Sequence, residues 1–218
     1  LPAQQTFLTQ LGTTTSARGD EILSDALASL LGGELSKALE LDVVTSAEAR
    51  QTPRLKRLVA QYESRKSSSD PVASYRSTLV GGQPAKGKLV YENHVAAQCV
   101  RCHNAGGKGK QVGPELGEIG KRFDKDYLLR SLIAPSVDIA EGFGVTVIEL
   151  SNGEVLAGSI GNRTKKTLTL IPPQGKAREI PVNLIKNITE SKTSVMPPVG
   201  AILTKHELRD LMAYLETL

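Results

Sequence analysis

Two cysteines and a histidine constrain this chain more than any other feature of its sequence. Cys99 and Cys102 are separated by two residues, and His103 follows directly. This spacing is the attachment signature of a c-type haem, because the two thiols match the two vinyl groups of one porphyrin and the adjacent imidazole then lies over the iron. The pattern therefore predicts one covalent haem c, held by Cys99 and Cys102, with His103 as an iron ligand.

Other uses of a cysteine pair fit the sequence less well. The chain has 2 cysteines and 3 histidines. A structural zinc site takes about four Cys or His ligands, and only His94 and His206 would remain to complete one. A disulfide or a thioredoxin-like redox pair would leave His103 without a role, and it would need a βαβ context. The sequence around the pair is helical and glycine-rich instead.

Length and charge limit the partners. At 218 residues the chain is long enough for one or two domains. No apolar run approaches the ~20 residues that cross a bilayer, so no membrane span is expected. The net charge of +4 comes from basic residues interleaved with acidic ones, which argues against nucleic acid as a partner. Covalent haem is attached after export, so a periplasmic or otherwise exported location is expected.

A group of basic residues follows the haem motif closely. The group comprises Lys108, Lys110, Lys121, Arg122, Lys125 and Arg130. It is either a solvated surface or a docking face for an acidic redox partner, and both interpretations stay open at this point.

Residues 1–68 are predicted to form a helical segment. Apolar residues recur at helical spacing after Asp20, which we expect to be an N-cap, and Gly32 and Gly33 close that helix. Thr52 and Pro53 predict the start of another helix. Two or three such units resemble HEAT-like helical hairpins at the end of a longer array. A serine-rich stretch then predicts a boundary near residue 68, a linker over 69–80 and a haem domain over 81–218.

The haem domain is predicted to be mainly α. A short helix over 84–93 contains Gly87, which predicts a close helix crossing, and a second helix covers 126–134. Thr204 and Glu207 have capping-box spacing for the last helix. Six glycines after the motif predict a loop that hugs a flat cofactor. They are Gly106, Gly107, Gly109, Gly113, Gly117 and Gly120.

A β insertion over 143–190 interrupts this helical domain. A hairpin is predicted over 145–160 around Asn152 and Gly153, because Asn-Gly is a strong turn signal. A second hairpin pairs 167–171 with 178–182 through a turn at 172–175, and 184–188 adds a fifth short strand. The pattern predicts a small antiparallel sheet or barrel.

An iron bound by His103 has a sixth position. The candidates are His94, Met196, His206 and Met212, or the position is open. Met212 lies in the apolar stripe of the last helix, where a methionine is usually core. His206 is expected to be exposed in the first turn of that helix, and His94 is close to the motif in sequence. Met196 is favoured because the prolines at 197–198 stiffen its extended loop. A loop methionine packed on the surface is the alternative.

In order along the chain, these motifs resemble a class I cytochrome c. The resemblance rests on a helix, the Cys99–His103 motif and three later phrases: Gly113-Pro114-Glu115-Leu116, Met196-Pro197-Pro198 and Ala213-Tyr214-Leu215. More narrowly, residues 80–218 are similar to the planctomycete/verrucomicrobial-type haem-binding domain, in which a β insertion separates the haem loop from the methionine loop. The narrower match rests on Val112-Gly113-Pro114, Arg122-Phe123-Asp124, Tyr127-Leu128-Leu129-Arg130-Ser131-Leu132-Ile133, Pro135-Ser136 and Leu208-Arg209-Asp210-Leu211.

The resemblance implies a complete cofactor site. Cys99 and Cys102 hold the haem, and His103 and Met196 ligate the iron. The carbonyl of Pro114 accepts a hydrogen bond from the second ring nitrogen of His103, which would fix the ring and tune the metal.

The resemblance also implies a helix crossing and a set of partners. Gly87 and Tyr91 of the first haem-domain helix would cross Leu211 and Tyr214 of the last. Domains of this kind often follow helical repeats and sometimes a dehydrogenase-like propeller. A redox partner protein and an upstream dehydrogenase domain are therefore the expected partners.

The function expected from the sequence is one-electron transfer rather than catalysis. The domain could be an independent carrier or a part of a larger oxidoreductase. A His/Met-ligated iron leaves no place for a substrate. The first alternative is a haem enzyme or gas sensor with an open or displaceable sixth ligand. The second is that the β insertion is a binding module, with basic residues in its turns that could dock an acidic surface: Arg163, Lys165, Lys166, Lys176 and Arg178.

Overall fold

A helical N-terminus is followed by further helices and a small antiparallel sheet. The computed structural model describes residues 1–67, 69–109, 112–140, 142–172 and 176–218. Helix makes up about 48% and strand about 18%, so the expected combination of helices with a small sheet is confirmed. None of the described helices is both long enough and apolar enough to cross a membrane.

Four helices build the N-terminal unit. They are α1 (Pro2–Thr13), α2 (Ala17–Gly32), α3 (Glu40–Arg50) and α4 (Pro53–Glu63). Their apolar faces enclose a hydrophobic core that includes Leu23, Leu27 and Leu55. Burial of these side chains is the main source of the stability of this unit, since helices this short are marginal on their own.

The ends of these helices test the local predictions. α4 begins at Pro53 as predicted, and α2 closes at Gly33 in the left-handed conformation at φ 80°. The prediction that Asp20 is the N-cap of α2 is wrong. The Ser16 side chain caps α2 by accepting a hydrogen bond from the Gly19 amide, and Asp20 accepts one from Arg50 Nε at 2.7 Å instead.

Between the N-terminal unit and the helices that follow, the chain is not extended. A 3-10 turn at Ala73–Thr78 lies within the segment predicted as a linker, and Val72 and Thr78 are buried. Residue 68, where the sequence places the boundary, lies outside the described residues. The division into domains stays a prediction.

The second helical part contains α5 (Pro84–Asn93), α6 (Ile119–Arg122), α7 (Lys125–Ile133) and α8 (Lys205–Leu215). α5 has the predicted bounds. α7 begins one residue earlier than predicted, because the Asp124 side chain caps it by accepting from the Tyr127 amide. The capping box of Thr204 and Glu207 at the start of α8 is present.

α5 and α8 cross in close contact at Gly87. A Cβ on Gly87 would lie 1.8 Å from the Asp210 carbonyl oxygen and 2.8 Å from Tyr214 Cβ. Only glycine permits this approach. Tyr91 packs on Tyr214 with ring centroids 5.7 Å apart. The predicted crossing is therefore present, with the backbone of Asp210 as the closest contact of Gly87.

The described residues contain seven strands in two sheets. A two-stranded ribbon joins β1 (Asn104–Ala105) and β2 (Lys108–Gly109). The larger sheet contains β3 (Gly144–Leu150), β4 (Val155–Arg163), β5 (Thr167–Ile171), β6 (Arg178–Pro181) and β7 (Ile185–Ser194), in the order β6-β5-β4-β3-β7. Both predicted hairpins are present, although residues 173–175 of the second turn lie outside the described residues. The fifth strand is longer than the predicted 184–188, and it pairs with β3.

The larger sheet rolls up on itself. β6 and β7 are joined by one 3-10 turn at Val182–Leu184, yet they lie at opposite edges of the sheet. The edges of a flat five-stranded sheet are roughly 19 Å apart, and a 3-10 turn of this length covers roughly 8 Å. The sheet must therefore curl so that the connected ends of β6 and β7 meet, and its apolar side chains pack together with buried Ile148, Leu168 and Ile180. We call these five strands the β barrel.

Candidate functional site

The Cys99–His103 segment forms a tight turn. Cys99–Arg101 is a 3-10 turn, and the His103 amide donates to the Cys99 carbonyl at 2.9 Å. Both cysteines are free thiols, with Cys99 half-buried and Cys102 exposed. Burial raises the pKa of the Cys99 thiol. The turn therefore presents two reduced sulfurs beside one imidazole.

The His103 ring is oriented by a backbone carbonyl. Its Nδ1 lies 2.8 Å from the Pro114 carbonyl oxygen, so the expected hydrogen bond is present. A carbonyl can only accept, which places the proton on Nδ1 and leaves Nε2 with its lone pair. Burial lowers the pKa of His103 more than the bond to Pro114 raises it. The neutral imidazole, which is the metal-binding form, is therefore favoured.

Two glycines allow the loops to close on His103. A Cβ on Gly113 would lie 2.8 Å from His103 Cε1, and one on Gly109 would lie 1.8 Å from the His103 carbonyl oxygen. Gly109 also has φ +109°, a conformation that favours glycine. The Gly113 amide donates to the Cys102 carbonyl at 2.7 Å. The backbone thus lies close to the His103 carbonyl at Gly109 and to its imidazole at Gly113.

The expectation that these six glycines form a loop that hugs a flat cofactor stays a prediction, and four of them have local roles in the described structure. Cβ atoms on Gly106 and Gly107 would contact nothing within 4 Å, because these residues turn the β1–β2 ribbon. Gly120 lies against the backbone of Glu216 at the end of α8, and Gly117 lies against the Glu115 side chain. These four positions serve local turns and helix packing.

Tyr91 is a part of the site that the sequence did not identify in this role. Its hydroxyl donates to the His103 carbonyl at 2.9 Å, and burial raises its pKa, so it keeps its proton. Since Tyr91 lies on α5 and packs on Tyr214 of α8, it ties the His103 backbone to the helix crossing. The sequence signal for this contact was the spacing of Gly87 and Tyr91, which lie about one turn apart on α5.

Met196 contributes to the same hydrophobic core as two residues of the Cys99–His103 motif. Its side chain is half-buried and packs on the hydrophobic core that Cys99 and Val100 also contact. Its amide donates to the Ser194 hydroxyl at 3.1 Å. The structure therefore brings Cys99, Cys102, His103 and Pro114 together, and Met196 packs on the hydrophobic core that Cys99 also contacts.

The other candidate ligands have structural partners. Met212 is fully buried in that core, as a core methionine would be. His94 Nδ1 accepts from the amides of Ala96 and Ala97 at 3.3 and 3.0 Å. The expectation that His206 is exposed is wrong, because its Nε2 lies 3.2 Å from the Asp42 carboxylate and its side chain is only 36% exposed.

A buried charge cluster joins α3 to α8. Arg209 donates to Asp42 at 2.7 Å, with both side chains almost fully buried, and His206 contacts the other carboxylate oxygen of Asp42. Burial alone would raise the pKa of Asp42, but the hydrogen bonds from His206 and Arg209 hold it below the usual range. The cluster fixes the N-terminal unit to the helix that follows the methionine loop.

Most of the basic residues near the motif have acidic partners close by. Four of them form ion pairs: Lys108 with Glu92, Lys121 with Glu118, Lys125 with Glu216 and Arg130 with Asp138. Arg122 donates to the Glu115 carbonyl, and Lys110 lies outside the described residues. In the β barrel, Arg178 pairs with Glu154. The surface around the motif therefore carries both signs of charge.

Two other kinds of site could hold a cofactor in the described part of the chain: a metal cluster and a surface groove. No group of three His, Cys, Asp or Glu side chains could hold a metal ion there, which gives no support to a zinc site. A shallow groove of about 410 Å³ beside the motif is lined by Glu92, Asn93, Val100, Lys108 and Gly109. It includes neither His103 nor Met196, and we assign no cofactor to it.

Comparison with known proteins gives no independent assignment. No model of a known protein family matches the chain, and no curated protein matches it. The functional argument therefore rests on the residues of the chain.

Proposed function

We propose that this chain is a c-type cytochrome domain that transfers single electrons through one covalent haem. In this proposal Cys99 and Cys102 attach the haem, and His103 and Met196 ligate its iron. The helices and the Cys99–His103 motif then form a class I cytochrome c fold with the β barrel inserted. The observation that carries the proposal is the hydrogen bond from His103 Nδ1 to Pro114, which leaves Nε2 free to bind a metal.

The two thiols suit the attachment chemistry. Each thiol would add across one vinyl group, so that a carbon–sulfur bond forms and the thiol hydrogen moves to the neighbouring carbon. This addition needs no oxidant, but it needs both sulfurs reduced. Cys99 and Cys102 are free thiols with two residues between them in one turn, which supports this role.

When bound, the haem supplies the one-electron couple of its iron. His103 offers a neutral imidazole whose basicity rises through the Pro114 hydrogen bond. Met196 offers a soft thioether, which favours ferrous iron and raises the potential. Six protein and porphyrin donors leave no site for a substrate, so the chain acts as a carrier rather than an enzyme.

The partner in this proposal is a redox protein that docks briefly, such as an upstream dehydrogenase domain, in the periplasm or another exported compartment. Contacts of this kind are small and weak. Four of the basic residues near the motif are paired with acids, so shape and haem exposure would guide docking more than a strong positive field.

The test is the spectrum of protein matured with haem. We expect a low-spin reduced spectrum and, in the ferric form, the near-infrared band of sulfur-to-iron coordination. Met196→Ala should abolish that band, whereas Met212→Leu should keep it, because Met212 is a buried core residue and this substitution nearly conserves volume. A high-spin protein as isolated, with rapid CO binding, would contradict the proposal and favour the haem enzyme or gas sensor.

A further inference from the structure

We propose that the β barrel holds the methionine loop in place, through a series of two serine hydroxyls that runs from Ser136 through Ser194 to Met196. The inference rests on the proposed function, because it assigns how the sulfur ligand is positioned. It gives the inserted strands a role in the haem site.

The series consists of two hydrogen bonds. The Ser194 amide donates to the Ser136 hydroxyl at 3.1 Å, and the Met196 amide donates to the Ser194 hydroxyl at 3.1 Å. Ser136 follows α7, and Ser194 is the last residue of β7. The backbone of Met196 is therefore connected to the segment after α7 through one intermediate residue.

The series lies where the chain enters and leaves the β barrel. Ser194 at the end of β7 is paired in register with Gly144 at the start of β3. A Cβ on Gly144 would lie 3.9 Å from Ile139, so the entering chain is close as well. Both ends of the insertion thus meet near the Ser136 hydroxyl. Met196 lies two residues after Ser194, so the loop that carries it starts directly at the end of the last barrel strand.

The loop is also fixed on its far side. The Tyr75 hydroxyl donates to the Gly200 carbonyl at 3.4 Å. A Cβ on Gly200 would lie 2.7 Å from the Tyr75 hydroxyl oxygen and 2.9 Å from Ile133 Cδ1. Two prolines at 197–198 limit the backbone between these points. The described contacts therefore hold the loop at both ends, and the serine series is the barrel-side attachment.

Positioning of this kind has a measurable consequence. An external ligand reaches the ferric iron only when the methionine sulfur leaves, so a loosely held loop lets the external ligand bind more tightly. Ser136 and Ser194 would act as positioning residues, because their hydroxyls bind backbone amides and would affect the Met196 sulfur only through the position of the loop.

The experiment titrates the ferric, haem-loaded full chain with imidazole and follows the near-infrared band. Ser194→Ala should tighten imidazole binding about two- to fivefold, which corresponds to the loss of one net hydrogen bond. Ser136→Ala acts through Ser194 and should have an equal or smaller effect. The double variant should match Ser194→Ala alone, since both hydroxyls belong to one series.

Two variants serve as controls. Thr193→Ala removes the neighbouring hydroxyl, whose oxygen has no hydrogen bond to another described residue, and it should leave imidazole affinity unchanged. Ser136→Thr keeps a hydroxyl and should restore the wild-type affinity. Ser136 is exposed, so neither substitution there opens a cavity.

The outcomes separate this inference from the proposed function. If Met196→Ala loses the near-infrared band while both serine variants bind imidazole as the wild type does, the serine series has no positioning role and the inference fails alone. If Met196→Ala keeps the band, the sulfur ligand is wrong and the proposed function fails first. Equal tightening in Thr193→Ala would also contradict the inference.

Discussion

The α-carbon of Gly113 lies against the imidazole of His103, so that a Cβ on Gly113 would be 2.8 Å from His103 Cε1 and 3.0 Å from Nδ1. The next residue, Pro114, provides the carbonyl that accepts from Nδ1. One short segment therefore sets both the position and the proton of the imidazole. The geometry of the site therefore depends on the absence of a side chain at Gly113.

Gly113→Ala should displace the His103 ring. The added methyl meets a ring held by its own hydrogen bond, so either the ring shifts or the Pro114 contact breaks. We expect a lower yield of haem-loaded protein and a shifted reduction potential, measured by the pyridine haemochrome assay and by potentiometry. Gly117→Ala is the matched control, because a Cβ there meets only the flexible Glu115 side chain. Equal behaviour of the two variants would contradict this account.

Gly87→Ala should weaken the crossing of α5 and α8. A methyl group there would lie 1.8 Å from the Asp210 carbonyl, so the helices have to separate. Overpacking of this kind costs about 1–3 kcal/mol and occasionally more. Urea unfolding followed by circular dichroism measures the free energy of unfolding. Lys88→Ala on the exposed side of α5 should change the free energy of unfolding little. If Lys88→Ala lowered it as much as Gly87→Ala does, the helix crossing would not explain the destabilisation.

Asp42→Ala should destabilise the attachment of the N-terminal unit. It leaves Arg209 buried without its carboxylate, a change that costs about 3–5 kcal/mol. Urea unfolding of wild type and variant at neutral pH measures the difference. Asp25→Ala is the control, because Asp25 is 77% exposed and lies 3.7 Å from Arg54. A loss below about 1 kcal/mol in Asp42→Ala would contradict a stabilising role.

The ion pair of Asp42 and Arg209 also predicts that the free energy of unfolding depends on pH. The folded pKa of Asp42 is below its ordinary value, so its contribution is complete above about pH 4, the unfolded pKa, and is lost as the pH falls through the folded pKa. Wild type should therefore lose more stability than Asp42→Ala on acidification below about pH 4. Parallel pH profiles of the two proteins would show that the carboxylate does not contribute in this way.

Tyr91→Phe removes the hydroxyl that donates to the His103 carbonyl. The carbonyl loses a partner in a partly buried place, so unfolding free energy should fall by about 1 kcal/mol. Tyr127→Phe removes a hydroxyl with no hydrogen bond among the described residues and should be neutral. Chemical unfolding of both variants measures the difference, and an equal change in both would argue against a role for the Tyr91 bond.

Local signals explain what the sequence predicted about the fold. Pro84 at the first turn of α5, the capping box of Thr204 and Glu207, and the Asn152-Gly153 turn each act within a few residues, and the structure contains all three. Gly87 predicted a close crossing because a glycine inside a helix has a cost that only packing offsets. Short-range chemistry of this kind can be read from sequence.

Contacts between distant residues could not be read in the same way. Asp42 and Arg209 are 167 positions apart, and no local pattern joins them. The second half of β7 is polar, so its sequence lacks the alternation of apolar and polar residues that would have predicted its pairing with β3. Ser16 rather than Asp20 caps α2, since both residue types suit an N-cap and only the helix start decides between them.

In the candidate site, too, local sequence signals were predictable and contacts between distant segments were not. The spacing of Cys99, Cys102 and His103 indicates the chemistry directly, whereas the Pro114 hydrogen bond was expected only from the family resemblance. The Tyr91 hydroxyl bond and the serine series to Met196 depend on how separate segments pack. Sequence identifies the reacting groups here, and the fold identifies what holds them.

The most direct test of the central claim is the intact mass of the protein produced in a host that matures c-type cytochromes, together with its pyridine haemochrome spectrum. The account predicts one haem per chain, a mass equal to the polypeptide plus one complete haem, and no free thiols at Cys99 and Cys102. A colourless protein with the mass of the bare polypeptide and two reactive thiols would contradict it.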